Sequence, residues 1–162
     1  MIEEVTVTKM YRYSGIPSAL AAAVRATGKS PQYGHPTHTE VATGYGPCRE
    51  CLDTFREGEE ERILFTYQPF ESGFLPAPGP VFIHREACRR YQGTTFPGGL
   101  LSVPMIVEGF GADGEPVTRM AVNGEAVEVV VDRVFVRPDV AFGHLRNAEV
   151  GCFIARVDRA QD

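Results

Sequence analysis

Four residues in two short motifs could together bind a metal ion. Cys48 and Cys51 form a C-x2-C motif, and His84 and Cys88 form an H-x3-C motif further along the chain. Zinc prefers four thiolate or imidazole ligands in a tetrahedron. A helical turn over residues 84–88 would bring His84 and Cys88 to one face, and the intervening loop adds closure entropy only slowly with its length. The spacing therefore predicts a structural zinc site.

The same segments leave other arrangements open. His35 and His38 precede the first cysteine pair and could replace or supplement His84. If only three protein ligands hold the ion, a water molecule takes the fourth position and the site becomes catalytic, with Glu40 or Glu50 as the base. The cysteines could also be buried thiols without a metal, because free cysteine is among the most buried residue types.

Two enzyme classes share parts of these motifs. His38-Thr39-Glu40 and Pro47–Cys51 match the H-x-E and P-C-x-x-C halves of zinc deaminases. In those enzymes a helix and a strand separate the halves, whereas only residues 41–46 do so here, which is too short for both elements. A C-x-x-C motif also occurs in thiol oxidoreductases, although no thioredoxin-like βαβ pattern surrounds this one. A deaminase-like hydrolase and a thiol-redox protein thus remain alternatives.

A second group of polar residues lies near the last predicted hairpin. His144, Arg146, Asn147 and Arg156 could cluster there and form an anion-binding or ligand-binding surface. The ordinary polarity of an exposed hairpin explains the same residues.

These side chains must be positioned by a chain whose pattern predicts an α+β fold with a mostly antiparallel sheet. One helix is predicted between Pro17 and Gly28. A second is predicted after Asn123, its N-cap, with apolar positions at a period of 3.6 residues: Val127, Val130, Val131, Val134 and Phe135. A long Pro/Gly-rich loop, residues 29–50, is pinned near the Cys/His cluster, and a helical turn is expected over 85–91. Strands are predicted at residues 5–13, 62–67, 81–84, 100–109, 116–122, 140–145 and 152–157.

Length and charge limit the possible functions. The 162 residues predict a single domain, and 43% of them are hydrophobic. A net charge of −5 without a basic cluster argues against a nucleic-acid or membrane partner. The acidic start of the chain is unlike a signal peptide, so we expect a cytoplasmic protein with reduced or metal-bound cysteines.

Four segments carry a resemblance to a known family. They are residues 13–17, 46–52, 79–84 and, most specifically, 144–159. In these segments the chain resembles a bacterial family classified as domain of unknown function 1203 (DUF1203). The resemblance implies a small single-domain bacterial protein of unassigned activity, and it supplies no catalytic residues.

Overall fold

The computed structural model describes residues 10–44, 46–69 and 78–160, and its strands form two antiparallel sheets. The strands are β1 (Tyr11–Ser14), β2 (His38–Val41), β3 (Glu61–Tyr67), β4 (Gly79–His84), β5 (Gln92–Gly93), β6 (Met105–Phe110), β7 (Pro116–Ala121), β8 (Phe142–Asn147) and β9 (Phe153–Arg159). The helices are α1 (Ser18–Thr27) and α2 (Val127–Phe135), with a 3-10 turn at Gly98–Leu100.

The larger sheet has six strands in the order β5-β1-β9-β8-β6-β7. The hairpins β6–β7 and β8–β9 pair antiparallel neighbours in sequence, as predicted. Strand β1 pairs with β9, with Tyr11 opposite Arg159. One face of this sheet packs against α2, whose apolar side is fully buried at Val130, Val131 and Val134.

The smaller sheet has three strands in the order β2-β3-β4 and a hydrophobic core of its own. Helix α1 contributes Ala21 and Val24 to that core and ends at Gly28, which adopts the left-handed φ of 66° that glycine tolerates well. Phe153, at the start of β9, also belongs to this core and lies 5.3 Å from Tyr67 between ring centroids. The beginning of β9 thereby joins the larger sheet to the smaller one.

Successive side chains of β8 point to opposite faces of the larger sheet. Leu145 lies in the core beneath α2. His144 lies on the other face, where its ring is 5.0 Å from that of Phe153, and Arg146 shares that face because it is two residues along. The polar residues of this strand therefore face the side on which the smaller sheet packs.

The structure differs from the sequence expectations in several elements. The segment 29–50 contains β2, whose backbone pairs with β3 despite the surrounding glycines and prolines. Residues 85–91 form bends and irregular backbone, so the expected helical turn is wrong. Strand β6 begins at Met105, after the 3-10 turn. Ala126 occupies the N-cap position of α2 and makes no side-chain capping bond, so the N-cap at Asn123 is also wrong.

Parts of two predicted segments lie outside the described residues. They are residues 5–9 of the first strand and most of the loop between Pro69 and Pro80. Within the described part of the chain, no helix is long and apolar enough to cross a membrane.

Candidate metal centre

The structure brings together the four residues that the two motifs predict as metal ligands. One potential ligand atom from each of Cys48, Cys51, His84 and Cys88 lies within 4.8 Å of each of the others. The Sγ atoms of Cys48 and Cys88 are 3.8 Å apart, and Sγ of Cys51 is 3.5 Å from Nδ1 of His84. The two motifs, which are distant in sequence, therefore lie next to each other in the folded chain.

The Cys48–Cys88 and Cys51–His84 separations match two of the six edges of a zinc coordination tetrahedron. Bonds of about 2.3 Å to sulfur and about 2.0–2.1 Å to nitrogen place two sulfurs about 3.8 Å apart, and a sulfur and a nitrogen about 3.5 Å apart. Both values agree with the distances in the structure. Soft thiolates and an imidazole in this arrangement form a donor set that suits Zn²⁺ better than Mg²⁺ or Ca²⁺, which prefer oxygen.

The first cysteine pair is held in a tight turn by backbone hydrogen bonds. The amide of Leu52 donates to the carbonyl of Cys48, and the amide of Cys48 donates to the carbonyl of Asp53. Leu52 is buried and has a φ of 61°, which is uncommon for a residue with a β-carbon. This left-handed residue reverses the chain directly after Cys51, so that both sulfurs of the pair reach the same point.

The second ligand pair comes from the end of β4 and the irregular segment that follows it. His84 is the last residue of β4, where it pairs with Arg62 of β3. Its backbone amide lies 3.3 Å from Sγ of Cys48 and donates to that sulfur. Cys88 approaches from residues 85–91, which bend back towards the first pair. His84 and Cys88 thus come together through a strand end and a bend, and not on one face of a helix.

An arginine and a glutamate border the cluster on its α1 side. Nη1 of Arg25 lies 2.8 Å from Oε1 of Glu50, and its Nη2 donates over 3.6 Å to Sγ of Cys88. Nε of Arg25 donates to the carbonyl oxygen of His84, and the thiol of Cys88 is 3.3 Å from Oε1 of Glu50. Three thiolates around one Zn²⁺ would leave a net charge of −1, and the guanidinium of Arg25 lies between that charge and the carboxylate of Glu50.

A carboxylate lies on the far side of the imidazole. Nε2 of His84 is 3.4 Å from Oε1 of Glu60, whereas its Nδ1 faces Cys51. A metal-binding histidine commonly donates its second N–H to a carboxylate, which fixes the tautomer and the orientation of the ring. Glu60 is positioned to do this and leaves Nδ1 free for the ion.

Hydrogen bonds inside the cluster strongly shift the pKa values of its cysteines and histidine. Those from Cys51 and then Cys88 lower the pKa of Cys48 far below its ordinary value, and those to Cys48 and Cys51 raise the pKa of His84 to about 10. Interaction with the Cys48 and Cys51 sulfurs raises the pKa of Cys88. The cluster thus concentrates negative charge at Cys48, the most deeply buried of its sulfurs.

The alternative histidine ligands lie outside this cluster. His35 is exposed and stacks on the ring of Tyr33, and His38 is exposed on β2, where its Nε2 lies 3.3 Å from Glu40. Glu40 is itself bound by the guanidinium of Arg62. The H-x-E half of the deaminase-like pattern is therefore engaged in other contacts, whereas Glu50, the other base considered, lies against Cys88.

The four residues predicted as an anion-binding surface are divided between two cavities. Arg146 and Asn147 line a cavity between the two sheets. His144 and Arg156 line a separate cavity, together with Arg90. Both cavities lie on the same face of the larger sheet, but Arg156 is already paired with its neighbour Asp158.

The buried position of His144 predicts a loss of stability in mild acid. Burial, followed by the charges of Arg146 and Arg156, lowers the pKa of His144 to about 3. The unfolded chain titrates near 6.5 and binds the proton that the folded chain excludes, so stability falls as the pH drops from about 6.5 towards 3. We expect this group alone to contribute a loss of roughly 2 kcal/mol between pH 7 and pH 5.

Urea unfolding of the wild type and of His144→Gln at both pH values measures this loss. The substitution should reduce the pH dependence of the unfolding free energy, whatever it does to the stability at pH 7. Equal pH dependence in the two proteins would show that His144 is not the responsible group.

Three polar residues around the cluster were not predicted from the sequence. They are Arg25, Glu60 and the buried Arg49, whose side chain donates to the carbonyls of Phe153 and Pro47. Arg49 stands between the two cysteines of the motif, so its position in the sequence already indicated that it lies near the cluster. Arg25 and Glu60 are distant in sequence from the ligands they contact, and only the folded chain brings them there.

Comparison with known proteins gives a family and no function. The family model described as a protein of unknown function (DUF1203) matches residues 45–159 of the chain. No curated protein and no solved structure matches it significantly. The matched range includes all four cluster residues.

Proposed function

The chain belongs to DUF1203, a family without an assigned activity, and we propose that it is a zinc-binding protein whose ion has a structural role. Cys48, Cys51, His84 and Cys88 hold the ion, and the protein has no catalysis of its own at this centre. The observation that carries the proposal is the approach of these four ligand atoms within 4.8 Å of one another, with the Cys48–Cys88 and Cys51–His84 separations typical of a ZnS₃N tetrahedron. Reduced thiols of this kind suit a cytoplasmic protein.

The role is structural because four protein ligands complete the coordination of zinc. A catalytic zinc usually keeps one position for water. The ion ties the turn at residues 48–51 to the end of β4 and to the bend at Cys88, and so fixes the long segment 29–50 at its C-terminal end. That segment carries only the short strand β2 and is rich in glycine and proline, so metal binding supplies order that its apolar contacts provide only in part.

The first expected result is one zinc per chain in protein purified without a tag. Elemental analysis measures the metal, and a thiol reagent measures accessible cysteines before and after a chelator is added. We expect three thiols to become reactive only after chelation, because they are bound to the ion. Cys152 lies outside the cluster and is the control thiol that reacts independently of the chelator.

Substitutions at the histidines separate the predicted ligand from its alternatives. His84→Ala should lower the zinc content, whereas His35→Ala and His38→Ala should leave one zinc per chain. Cobalt-loaded protein should show the absorption of a tetrahedral thiolate site, and replacing Cys88 by serine should change that spectrum. Folded protein that carries no metal, with every thiol reduced, would contradict the proposal.

One observation supports the catalytic alternative as the second candidate. A cavity of about 390 Å³ is lined by Cys51, His84 and Cys88, and Glu60 and Asp53 also border it. If Cys88 were dispensable for metal retention, a water molecule could bind the ion from this cavity. Zinc that remains in Cys88→Ser, with an exchangeable water on the metal, would favour the hydrolase-like function over the structural one.

A further inference from the structure

A second site lies between the two sheets, apart from the metal cluster. The cavity has a volume of about 440 Å³, within the range of small-molecule pockets. None of the four proposed zinc ligands lines it. Its walls come from β3 and β4 on one side and from β6, β7 and β8 on the other, with the turn after β8 at one end.

Arg146 brings an unused hydrogen-bond donor to the wall of this cavity. Its Nε donates to Oε1 of Glu108 over 2.6 Å, and its Nη1 donates to the carbonyl of Gly151 over 2.9 Å. Only 9% of its side chain is exposed, and its Nη2 has no hydrogen-bond partner among the described residues. Buried guanidinium N–H groups are nearly always satisfied, so a donor left over at a cavity wall indicates a missing acceptor.

Among the described residues, the charged side chains that line the cavity leave one positive charge in excess. Glu108 balances Arg146, with which it forms an ion pair. Arg119 of β7 stands opposite Glu108 in the sheet and also lines the cavity. In the part of the chain that the structure describes, no carboxylate pairs with Arg119. A ligand with a single negative charge would neutralise the site, whereas a dianion such as phosphate would exceed it.

The rest of the lining is mostly apolar. It includes Tyr67 and Val81 from the smaller sheet, Ile106 and Phe153 from the larger sheet, and prolines. Gly79 leaves open space there, since a Cβ added at this residue would meet no atom within 4 Å. Apolar walls with a few convergent polar groups are typical of sites for small organic molecules.

We propose that this cavity binds a small organic monocarboxylate. Its carboxylate accepts hydrogen bonds from Arg146 Nη2 and from the Arg119 guanidinium, and its apolar part packs against Tyr67, Ile106 and Phe153. The Arg119 guanidinium can present two parallel donors that match both carboxylate oxygens, whereas Arg146 adds the single group Nη2. Nη2 of Arg146 is covered in the ligand-free arrangement. The Arg146 side chain must therefore shift slightly for the carboxylate to reach this group.

Calorimetric titration of the metal-loaded full chain tests this proposal. The probes are benzoate, phenylacetate and 3-phenylpropionate, with 3-phenylpropanol and inorganic phosphate as comparisons. We expect at least one carboxylate to bind with a dissociation constant of about 1 mM or tighter, and the alcohol and phosphate to bind about tenfold more weakly or not at all. Failure of all three carboxylates, or equally tight binding of the alcohol or phosphate, overturns the proposal.

Two substitutions and a matched control assign the binding to the cavity. Arg119→Gln removes an exposed charge, and Arg146→Lys keeps a cation beside Glu108 while removing Nη2; each should weaken carboxylate binding about tenfold. Arg156→Gln is the control, because that arginine is on the same face of the sheet but does not line this cavity. Unchanged affinity in Arg119→Gln, which has little reason to unfold, overturns the proposal even if Arg146→Lys proves unstable.

Cys152 provides an independent readout of occupancy. It lines the same cavity and is outside the metal cluster. A bound carboxylate should slow its alkylation by iodoacetamide, measured on the peptide that contains it by mass spectrometry. Binding without protection of Cys152 would place the ligand elsewhere and contradict the assignment to this cavity.

Discussion

Replacing Cys48 by serine is expected to remove the zinc and to lower the free energy of unfolding by about 4 kcal/mol or more. That is the stabilisation supplied by a ligand present at about a thousand times its dissociation constant. For a chain of this length it corresponds to a fall in the melting temperature of roughly 8–16 °C. Cys48 is the strongest choice because it is fully buried, and its sulfur accepts from the backbone amide of His84. Calorimetry and elemental analysis of the same samples measure both effects.

Cys152→Ser is the matched control for this prediction, because it changes the cysteine that lies outside the cluster. It should retain one zinc per chain and lose much less stability. A chelator should lower the melting temperature of the wild type to near that of Cys48→Ser and leave the variant unaffected. If the chelator does not change the melting temperature of the wild type, that result would contradict a structural role for the metal.

Replacing Arg49 by methionine is the second change from which we expect a large effect, a loss of about 2–4 kcal/mol. Arg49 is 6% exposed, and its guanidinium donates to the carbonyls of Phe153 and Pro47 over 2.7 Å each. The variant leaves both carbonyls without these donors, although relief of the buried charge offsets part of the loss. Burial lowers the pKa of Arg49 to about 10, so it is still charged at neutral pH. Urea unfolding at pH 7 measures the change.

Arg56→Met is the control for Arg49, because Arg56 is exposed and forms surface ion pairs with Glu59 and Glu60. We expect it to change the stability by less than about 1 kcal/mol. Arg49→Lys should be intermediate, because a lysine keeps the charge but lacks the planar fork that reaches two carbonyls at once. If Arg49→Met has the same free energy of unfolding as the wild type, the hydrogen bond from Arg49 to Phe153 at the start of β9 has no role in stability.

Much of the antiparallel framework was predictable, because its signals are local. The alternation in β3 and the hairpin β8–β9 follow from the period of side chains along a strand. Strand β2 was not predicted, because Pro36 and Gly44 interrupt the pattern on either side of it, and its position depends on pairing with β3. The division of the strands into two sheets also depends on tertiary packing, which Phe153 mediates.

The grouping of the four cluster residues was predictable from residue type and spacing, but its geometry was not. The expectation for His84 and Cys88 assumed a helical turn, whereas the backbone at 85–91 bends irregularly. The left-handed residue Leu52 carries no sequence signal, since leucine rarely adopts that conformation. Arg25 and Glu50, which are far apart in the chain, meet at Cys88 only because α1 packs beside the cysteine turn.

The placement of β1 beside β9 has a consequence for the order in which the protein assembles. Strand β9 is the link in the larger sheet between β5-β1 and β8-β6-β7. All strands of the smaller sheet and all four proposed zinc ligands lie between residues 38 and 88. As the chain leaves the ribosome, these parts are available before β9 has been made. We therefore expect the metal to bind early in synthesis. The pairing of β1 with β9 should come last, because it closes a loop of nearly the whole described chain.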